Sequence, residues 1–468
     1  MTAFPGTAPA ELDAEHWRHR LAEIAARHAI PGAVLAISHG DRFIEAAHGV
    51  LNVDTGVETT VDSLFQIGSI TKVWTATAVM RLVDQGRLDL DAPLQQVLPG
   101  LRLADPDTTR RITMRHLLTH TSGIDGDTFA DSGRGDDCLE RYLPGMADLP
   151  PIHPLGATWS YGNSGFILAG RVIEVLTGMT WDAAMADLLF APLGLSRTVT
   201  LPEQAILHSA AVGHLPGPDG RPRRAAVWVL PRCAGPAGLI NSTVRDVIAF
   251  ARMHLDHGVA ADGQRLLSED LVGQMQAEQA VLPGPDLWPG LDSWGLGWFR
   301  MDWNGQRVIG HDGGTIGQNA LLRVLPAHRL AFTLLTNGGR AIAAMTELCA
   351  EIAELVGVGT PKPFGPPDEP VRVDASRWTG VYERPSLRWE VTEAGDGLDI
   401  RMVPVGARAN HFPERLFRMI PVAEDRFVGY AESDDTWLPA TFYRLADGTT
   451  YMQFGSCSMP RTEGSPGL

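Results

Sequence analysis

Lysine is almost missing from this 468-residue chain: of its 39 basic residues only Lys72 and Lys362 are lysines. Wherever plain positive charge is needed, the chain uses arginine. Arginine stays protonated, whereas a buried lysine can lose its proton and serve as a base, so a lysine retained here is a candidate for chemistry. Cysteine is scarce as well. Cys138, Cys233, Cys349 and Cys457 lie far apart with no Cys-x-x-Cys pair, which excludes a compact disulfide framework and suggests no zinc site; they read as buried or incidental thiols. No apolar run reaches membrane-spanning length, and residues 1–10 lack the basic start and apolar core of a secretory signal, so the expected location is the cytoplasm. A net charge of −16 counts against nucleic acid or an anionic membrane as partner. With 44% hydrophobic and 20% charged residues the composition is that of a soluble globular protein, and the length predicts two domains.

What is present organises around Phe65-Gln66-Ile67-Gly68-Ser69-Ile70-Thr71-Lys72. Gly68 allows a tight turn, and Ser69 opens a helical pattern running to about Gln85, in which Val73, Ala76, Met80 and Val83 share one face. Ser69 and Lys72 are three residues apart, so their side chains meet on a helix. The helix start adds unpaired N–H groups and a positive dipole end where negative charge would develop. Ser69 can be a nucleophile and Lys72 its activator. A capping serine with a solvated lysine would give the same string, so the pair needs partners.

Along the chain, residues 11–28 carry a stripe of Trp17, Leu21, Ile24 and Ala25, followed by two strands, 33–38 and 42–48, around His39-Gly40-Asp41. In the stretch from Ile112 to Gly123, His116 and His120 are spaced as a metal pair would be. The glutamate of a His-Glu-x-x-His site is missing, which favours packing or hydrogen-bonding roles. Residues 124–159 read as a polar loop that borders a substrate cleft. Ser160-Tyr161-Gly162-Asn163 precedes a helix ending at Gly178, with Asn163 as its cap. Strands are expected at 294–299, 307–310, 320–324 and 330–336, with His311-Asp312-Gly313-Gly314 after the second, and a helix at 341–355.

Five prolines between Gly357 and Pro370 read as a stiff linker outside any core. The expected division is 1–357, a linker 358–370, and a second domain 371–468. Strands predicted at 389–392, 398–403, 426–430, 441–445 and 450–454 make that domain a small antiparallel barrel or sandwich. The tail after Gly455 reads as disordered.

Ser69-x-x-Lys72, Tyr161-x-Asn163 and His311-x-Gly313, in that order, resemble the serine penicillin-recognising family of class C β-lactamases, penicillin-binding proteins and related esterases and D-aminopeptidases. The match spans roughly residues 15–357. It implies an α/β fold of the β-lactamase/transpeptidase type, with an antiparallel sheet built from both chain ends, flanking helices, and a cleft beside a helical subdomain. By resemblance Ser69 forms an acyl-enzyme, Lys72 and Tyr161 move its proton, Asn163 orients Lys72 and the substrate amide, and His311 orients substrate. The N–H groups of Ser69 and Gly314 make the oxyanion hole, with Gly313 the motif glycine. No metal or cofactor is implied. The third motif departs from the Lys-Thr-Gly of β-lactamases. His311, expected to titrate near neutrality, would hold a substrate carboxylate less well than lysine, which counts against β-lactam hydrolysis. A histidine here with a C-terminal lipocalin-like β-barrel is similar to D-aminopeptidases and to penicillin-binding-protein-type thioesterases that release and macrocyclise nonribosomal peptides. The implied partner is a peptidyl substrate, which in the thioesterases a carrier protein's pantetheine arm presents.

Overall fold

The computed structural model describes residues 12–126, 130–385, 387–405, 414–432 and 435–462. The reading of residues 1–10 therefore lies outside the described residues, as does the end of the tail beyond Thr462. Helix α1 (Ala14–Arg27) starts at Asp13, whose carboxylate accepts from the Glu15 and His16 N–H groups, and buries Trp17, Leu21, Ile24 and Ala25 as the stripe predicts. Strands β1 (Gly32–His39) and β2 (Arg42–Gly49) form a hairpin with His39 opposite Arg42. Its two-residue turn is made possible by Gly40 at φ +57°.

Six later strands complete one antiparallel sheet: β3 (Ala280–Val281), β4 (Leu291–Trp294), β5 (Phe299–Trp303), β6 (Gln306–Gly314), β7 (Asn319–Leu325) and β8 (Leu330–Thr336). The order is β2-β1-β8-β7-β6-β5-β4-β3. The first strand thus lies beside the last, Ala33 opposite Thr336, and the sheet joins both ends of the domain. Both faces are covered, which explains the continuous apolar run of β1. Ala33, Leu35 and Ile37 pack with α1 and a long helix at Ala341–Glu354. Val34 and Ala36 face the other core, which contains helix α2 (Thr71–Asp84), helix α3 (Ser164–Thr177) and helix α4 (Val244–Leu255).

Helix α2 differs from the one-sided stripe expected of it. Every residue from Thr71 to Met80 is buried, because α2 passes through the core and not over its surface. Small residues make this possible. Thr75 and Thr77 bond their hydroxyls to the Pro236 and Val73 carbonyls at 2.8 Å each, and Trp74 stacks on Phe250 at 4.2 Å. The strand expected across Trp294–Phe299 is two strands, β4 and β5, joined by a turn with Gly297 at φ +83°.

From Gly359 to Asp374 the chain has no helix or strand. The proline run is laid on the sheet domain: Asn304 donates to the Gly359 carbonyl at 2.9 Å, and Pro361, Pro363 and Phe364 wall a groove of about 290 Å³ with Trp303 and Ile342. Beyond it a closed barrel forms from β9 (Gly380–Arg384), β10 (Leu387–Ala394), β11 (Gly397–Pro404), β12 (Arg415–Ala423), β13 (Arg426–Ala431), β14 (Thr436–Arg444), β15 (Thr450–Phe454) and β16 (Cys457–Thr462). Strand β16 corrects the expectation of disorder after Gly455. Its sequence, with Pro460, has no strand signature, and what holds it is pairing with β15 and with β9, where Val381 lies opposite Thr462. Closure leaves no sheet edge exposed. No helix among the described residues is long and apolar enough to cross a membrane.

Candidate active site

Ser69 lies in a short 3₁₀ turn, Gly68–Ile70, that runs directly into α2. The end of β6 presses against this turn. A Cβ on Gly68, whose φ is +51°, would fall 2.6 Å from the Gly314 nitrogen, and one on Gly313 would fall 1.9 Å from the Ile67 carbonyl oxygen. Only paired glycines allow the two backbones to approach this closely. The backbone of the Ser69 turn and that of the tip of β6 are therefore in close contact.

Lys72 is fully buried one turn behind the serine. Its Nζ donates to Ser69 Oγ at 3.0 Å, to Asn163 Oδ1 at 2.7 Å and to the Ala237 carbonyl at 2.7 Å. It also lies 4.9 Å from the centre of the Tyr161 ring. Asn163 occupies the cap position, but its side chain makes no capping hydrogen bond to α3 and is turned to the lysine, as the resemblance implies. The Ala237 carbonyl has no side-chain signature and was invisible in the sequence.

The histidines at the site are neutral. His311 is buried at 3% exposure, and burial, reinforced by the charge of Lys72, pushes its pKa down to about 3. Its Nδ1–H donates to the Asp312 carbonyl at 2.6 Å, which leaves Nε2 an acceptor with no hydrogen-bond partner among the described residues. The expectation that His311 titrates near neutrality and weakly anchors a carboxylate is thus corrected: removed from water and next to an ammonium, it carries no charge to offer. His120 lies with Tyr161, Trp159, Phe166 and Trp294 in an aromatic cluster. Burial, then Lys72, also hold its pKa well below the ordinary value. At φ +57° its backbone turns sharply. Its carbonyl accepts from Ser160 N–H at 3.0 Å and its Nδ1 from Gly162 N–H at 3.1 Å. His120 therefore shapes the turn that carries Tyr161, a packing and hydrogen-bonding role. His116 caps its own short helix through Thr113.

Ser69, Tyr161, His311, Gly313 and Gly314 all line one cavity of about 260 Å³. Its walls are apolar, formed by Trp288, Leu291, Trp294, Phe299 and Met345, with Asp286, Asp312 and Asn319 as polar interruptions. Asp312 is held by Arg323, a wholly buried guanidinium 2.6 Å away. The described part of the 124–159 loop does not line this cavity; instead Gly126 lies against the Tyr-x-Asn turn, its carbonyl accepting from Asn163 N–H at 3.1 Å.

The barrel completes the cavity, and sequence reasoning missed its residues. Thr436, Leu438 and Ser456 line it. The β15–β16 hairpin reaches the strip that bears Tyr161: Tyr161 N–H donates to the Ser456 carbonyl at 3.0 Å, Ser458 N–H to Ser160 Oγ at 3.1 Å, and Ser458 Oγ to the Trp159 carbonyl at 2.8 Å. Thr158 and Tyr443 share a hydroxyl contact at 3.0 Å. At one side Arg384 of β9 faces Asp125 at 3.5 Å, both nearly fully buried. The reach of the β15–β16 hairpin was not legible in the sequence, because it depends on how two domains meet.

A family model described as Beta-lactamase matches residues 17–356. The chain is 46% identical over 376 residues to penicillin-binding protein 4 of Amycolatopsis lactamdurans, covering 80% of this chain and 98% of that protein. Among solved structures, SurE matches with a TM-score of 0.76 at 28% identity, covering 96% of this chain and 99% of SurE, and SurE solved with D-Leu matches at 0.73. A D-stereospecific amidohydrolase from Streptomyces sp. matches at 0.57 and 27% identity, covering 70% of this chain and 95% of that one. The family match covers the sheet, the serine turn and the Tyr-x-Asn and His-x-Gly segments together, and the chain belongs to the beta-lactamase family of serine hydrolases.

Proposed function

We propose that this protein is a serine acyltransferase that takes a peptidyl group with a D-residue at the acyl carbon from a thioester, ester or amide. It passes that group to an amine of the same peptide, in the manner of penicillin-binding-protein-type thioesterases that macrocyclise nonribosomal peptides. The observation that carries the reading is the buried Lys72 Nζ, 3.0 Å from Ser69 Oγ and held by Asn163 and the Ala237 carbonyl. In the first half-reaction Ser69 Oγ bonds to the carbonyl carbon. Its proton passes to the coupled pair Lys72 and Tyr161 and then to the leaving thiol, alcohol or amine. The N–H groups of Ser69 and Gly314 receive the developing oxyanion, an effect worth about 3 kcal/mol per donor. In the second half an amine attacks the acyl-Ser69 carbonyl and the serine regains its proton. The apolar walls of Trp288, Leu291, Trp294 and Phe299 favour an amine over water as acceptor.

The D-preference is supported by the likeness to SurE, solved with D-Leu, and to a D-stereospecific amidohydrolase. In this reading the enzyme works in the cytoplasm without a cofactor, on a peptide presented by a carrier protein's pantetheine arm. The test is a single turnover with a peptidyl thioester ending in a D-residue, read by mass spectrometry. Acyl-Ser69 followed by cyclic product is expected. Acyl-Ser69 followed only by linear acid, over several peptides, would favour the second reading, a D-stereospecific peptidase or esterase, which the amidohydrolase likeness supports. A protein in which a fluorophosphonate fails to label Ser69 would instead be a binding protein on a catalytic scaffold.

A further inference from the structure

The acyl cavity contains one carboxylate that the mechanism does not use. Asp286 lies in the loop between β3 and β4, is 4% exposed, and lines the same cavity as Ser69 and Tyr161. Ser456, at the tip of the barrel hairpin, and the N–H of Leu287 are the polar groups that act on it to favour its charged form. No basic side chain is among the principal groups acting on it, and the charged one that is, Asp312, repels it. Other carboxylates around the site differ in this respect. Asp312 faces Arg323 and Asp125 faces Arg384. A carboxylate buried beside Leu287, Trp288 and Leu291 with no cation set against it among the described residues is unfavourable unless a ligand supplies one. Burial accordingly pushes its pKa up to about 6, so that it is mainly ionised at neutral pH.

Resting on the acyl-transfer reading above, we propose that Asp286, steadied by Ser456, is the recognition site for a primary ammonium group on the acyl substrate. The ammonium sits either on the α-carbon of the acyl residue or on its side chain. Its place in the wall of a cavity of about 260 Å³ restricts the amine to the residue being transferred. An ion pair formed there is shielded from water, where charge-assisted hydrogen bonds are strongest.

The experiment uses the full-length protein and four N-acetylcysteamine thioesters: D-leucyl, N-acetyl-D-leucyl, N-acetyl-D-ornithyl and N-acetyl-D-norvalyl. The rate of acyl-Ser69 formation is followed by intact-mass spectrometry. Wild type should acylate at least about tenfold faster with the amine-bearing member of one of the two pairs, and which pair responds identifies the source of the ammonium. Asp286→Asn should reduce that preference to within about twofold while leaving the neutral thioesters within about threefold of wild type, and Asp286→Glu should restore part of it. Equal slowing of all four substrates by Asp286→Asn would make the residue a latch for the hairpin and overturn the proposal, as would a wild type indifferent to both amines. Absence of acyl-Ser69 from every thioester would overturn the acyl-transfer reading and the ammonium site with it, an outcome distinct from either of these.

Discussion

Replacing Ser458 by alanine removes one hydroxyl from the barrel and should slow chemistry in the other domain. Ser458 is fully buried, and its Oγ donates to the Trp159 carbonyl at 2.8 Å. After the substitution that carbonyl is left without its donor, a loss of about 1–3 kcal/mol. The Ser458 and Tyr161 backbone bonds to Ser160 Oγ and to the Ser456 carbonyl remain, so the strip from Thr158 to Tyr161 loosens but stays attached. Tyr161 is two residues from the damaged contact. A shift of about 1 Å in a group that moves the serine proton lowers rate by up to about 10²-fold; a partial loosening should give about tenfold. The assay is the burst of p-nitrophenol from a short ester, which isolates acylation. The expected result is a fall in the burst rate with KM nearly unchanged and an altered pH profile, because the proton-transfer partner and not the binding wall has moved. Ser458→Thr, which keeps the hydroxyl, should recover most of the rate. A burst rate and pH profile equal to wild type, alongside reduced stability, would show that the barrel only stacks on the domain and does not position Tyr161.

Lys72→Arg should abolish burst labelling, by at least about 10³-fold, since a guanidinium cannot give up its proton and does not fit the three acceptors around Nζ. Gly313→Ala puts a Cβ 1.9 Å from the Ile67 oxygen, so β6 must move away from the serine turn; acylation should fall about 10²–10³-fold while far-ultraviolet circular dichroism is retained, and near-normal acylation would refute the assigned oxyanion geometry. Stability should fall on mild acidification. His120, His153, His254 and His311 are all buried and held below the ordinary value first by desolvation, His153 at about 4 and His254 and His311 at about 3. The unfolded chain binds protons at these groups near pH 6.5 and the folded chain does not. Between pH 7.5 and 5.5 His153, His254 and His311 therefore each withdraw about 1.4 kcal/mol, roughly 4 kcal/mol for the three, and His120 acts in the same direction. The raised carboxyl of Asp286 acts in the opposite sense but returns only about 0.8 kcal/mol over that range. Urea midpoints that are flat over this range would contradict the neutral assignments.

Which parts could be read from the sequence follows from how far apart the interacting groups lie. Ser69 and Lys72 meet across a single helical turn, and the β1–β2 hairpin is set by a two-residue turn, so both were legible. The β-strand pairs at the two chain ends carry apolar runs and could be drawn as strands, although their adjacency came from resemblance. Three barrel strands were not recognised: β9, β12 and β16. Strand β16 contains Pro460 and few β-branched residues, and its conformation is imposed by closure onto β9. Asn163 offered two readings, a helix cap and, by resemblance, a partner of Lys72, because a helix start and a lysine acceptor demand the same side chain. The choice between them is made by Lys72, ninety-one positions earlier.

The histidine of the third motif shows why residue identity alone does not give charge. His311 in water would be a part-time cation; beside Lys72 and out of water it is a neutral donor at Nδ1 and an acceptor at Nε2. Among the described residues Lys72 is therefore the one cation next to the nucleophile, and in the proposed mechanism it takes part in proton transfer. Two arginines nearby are committed to Asp312 and Asp125. Among the described residues no cationic group remains on the cavity wall to hold a substrate carboxylate, whereas the Asp286 carboxylate proposed to hold an ammonium lies in it. Lysine scarcity and the departure from Lys-Thr-Gly then have one consequence. With no lysine at the third motif and Lys72 committed to the serine, the described wall of the acyl pocket has an unbalanced charge that is negative, which in the reading proposed above suits an amine-bearing acyl group better than the carboxylate of a β-lactam.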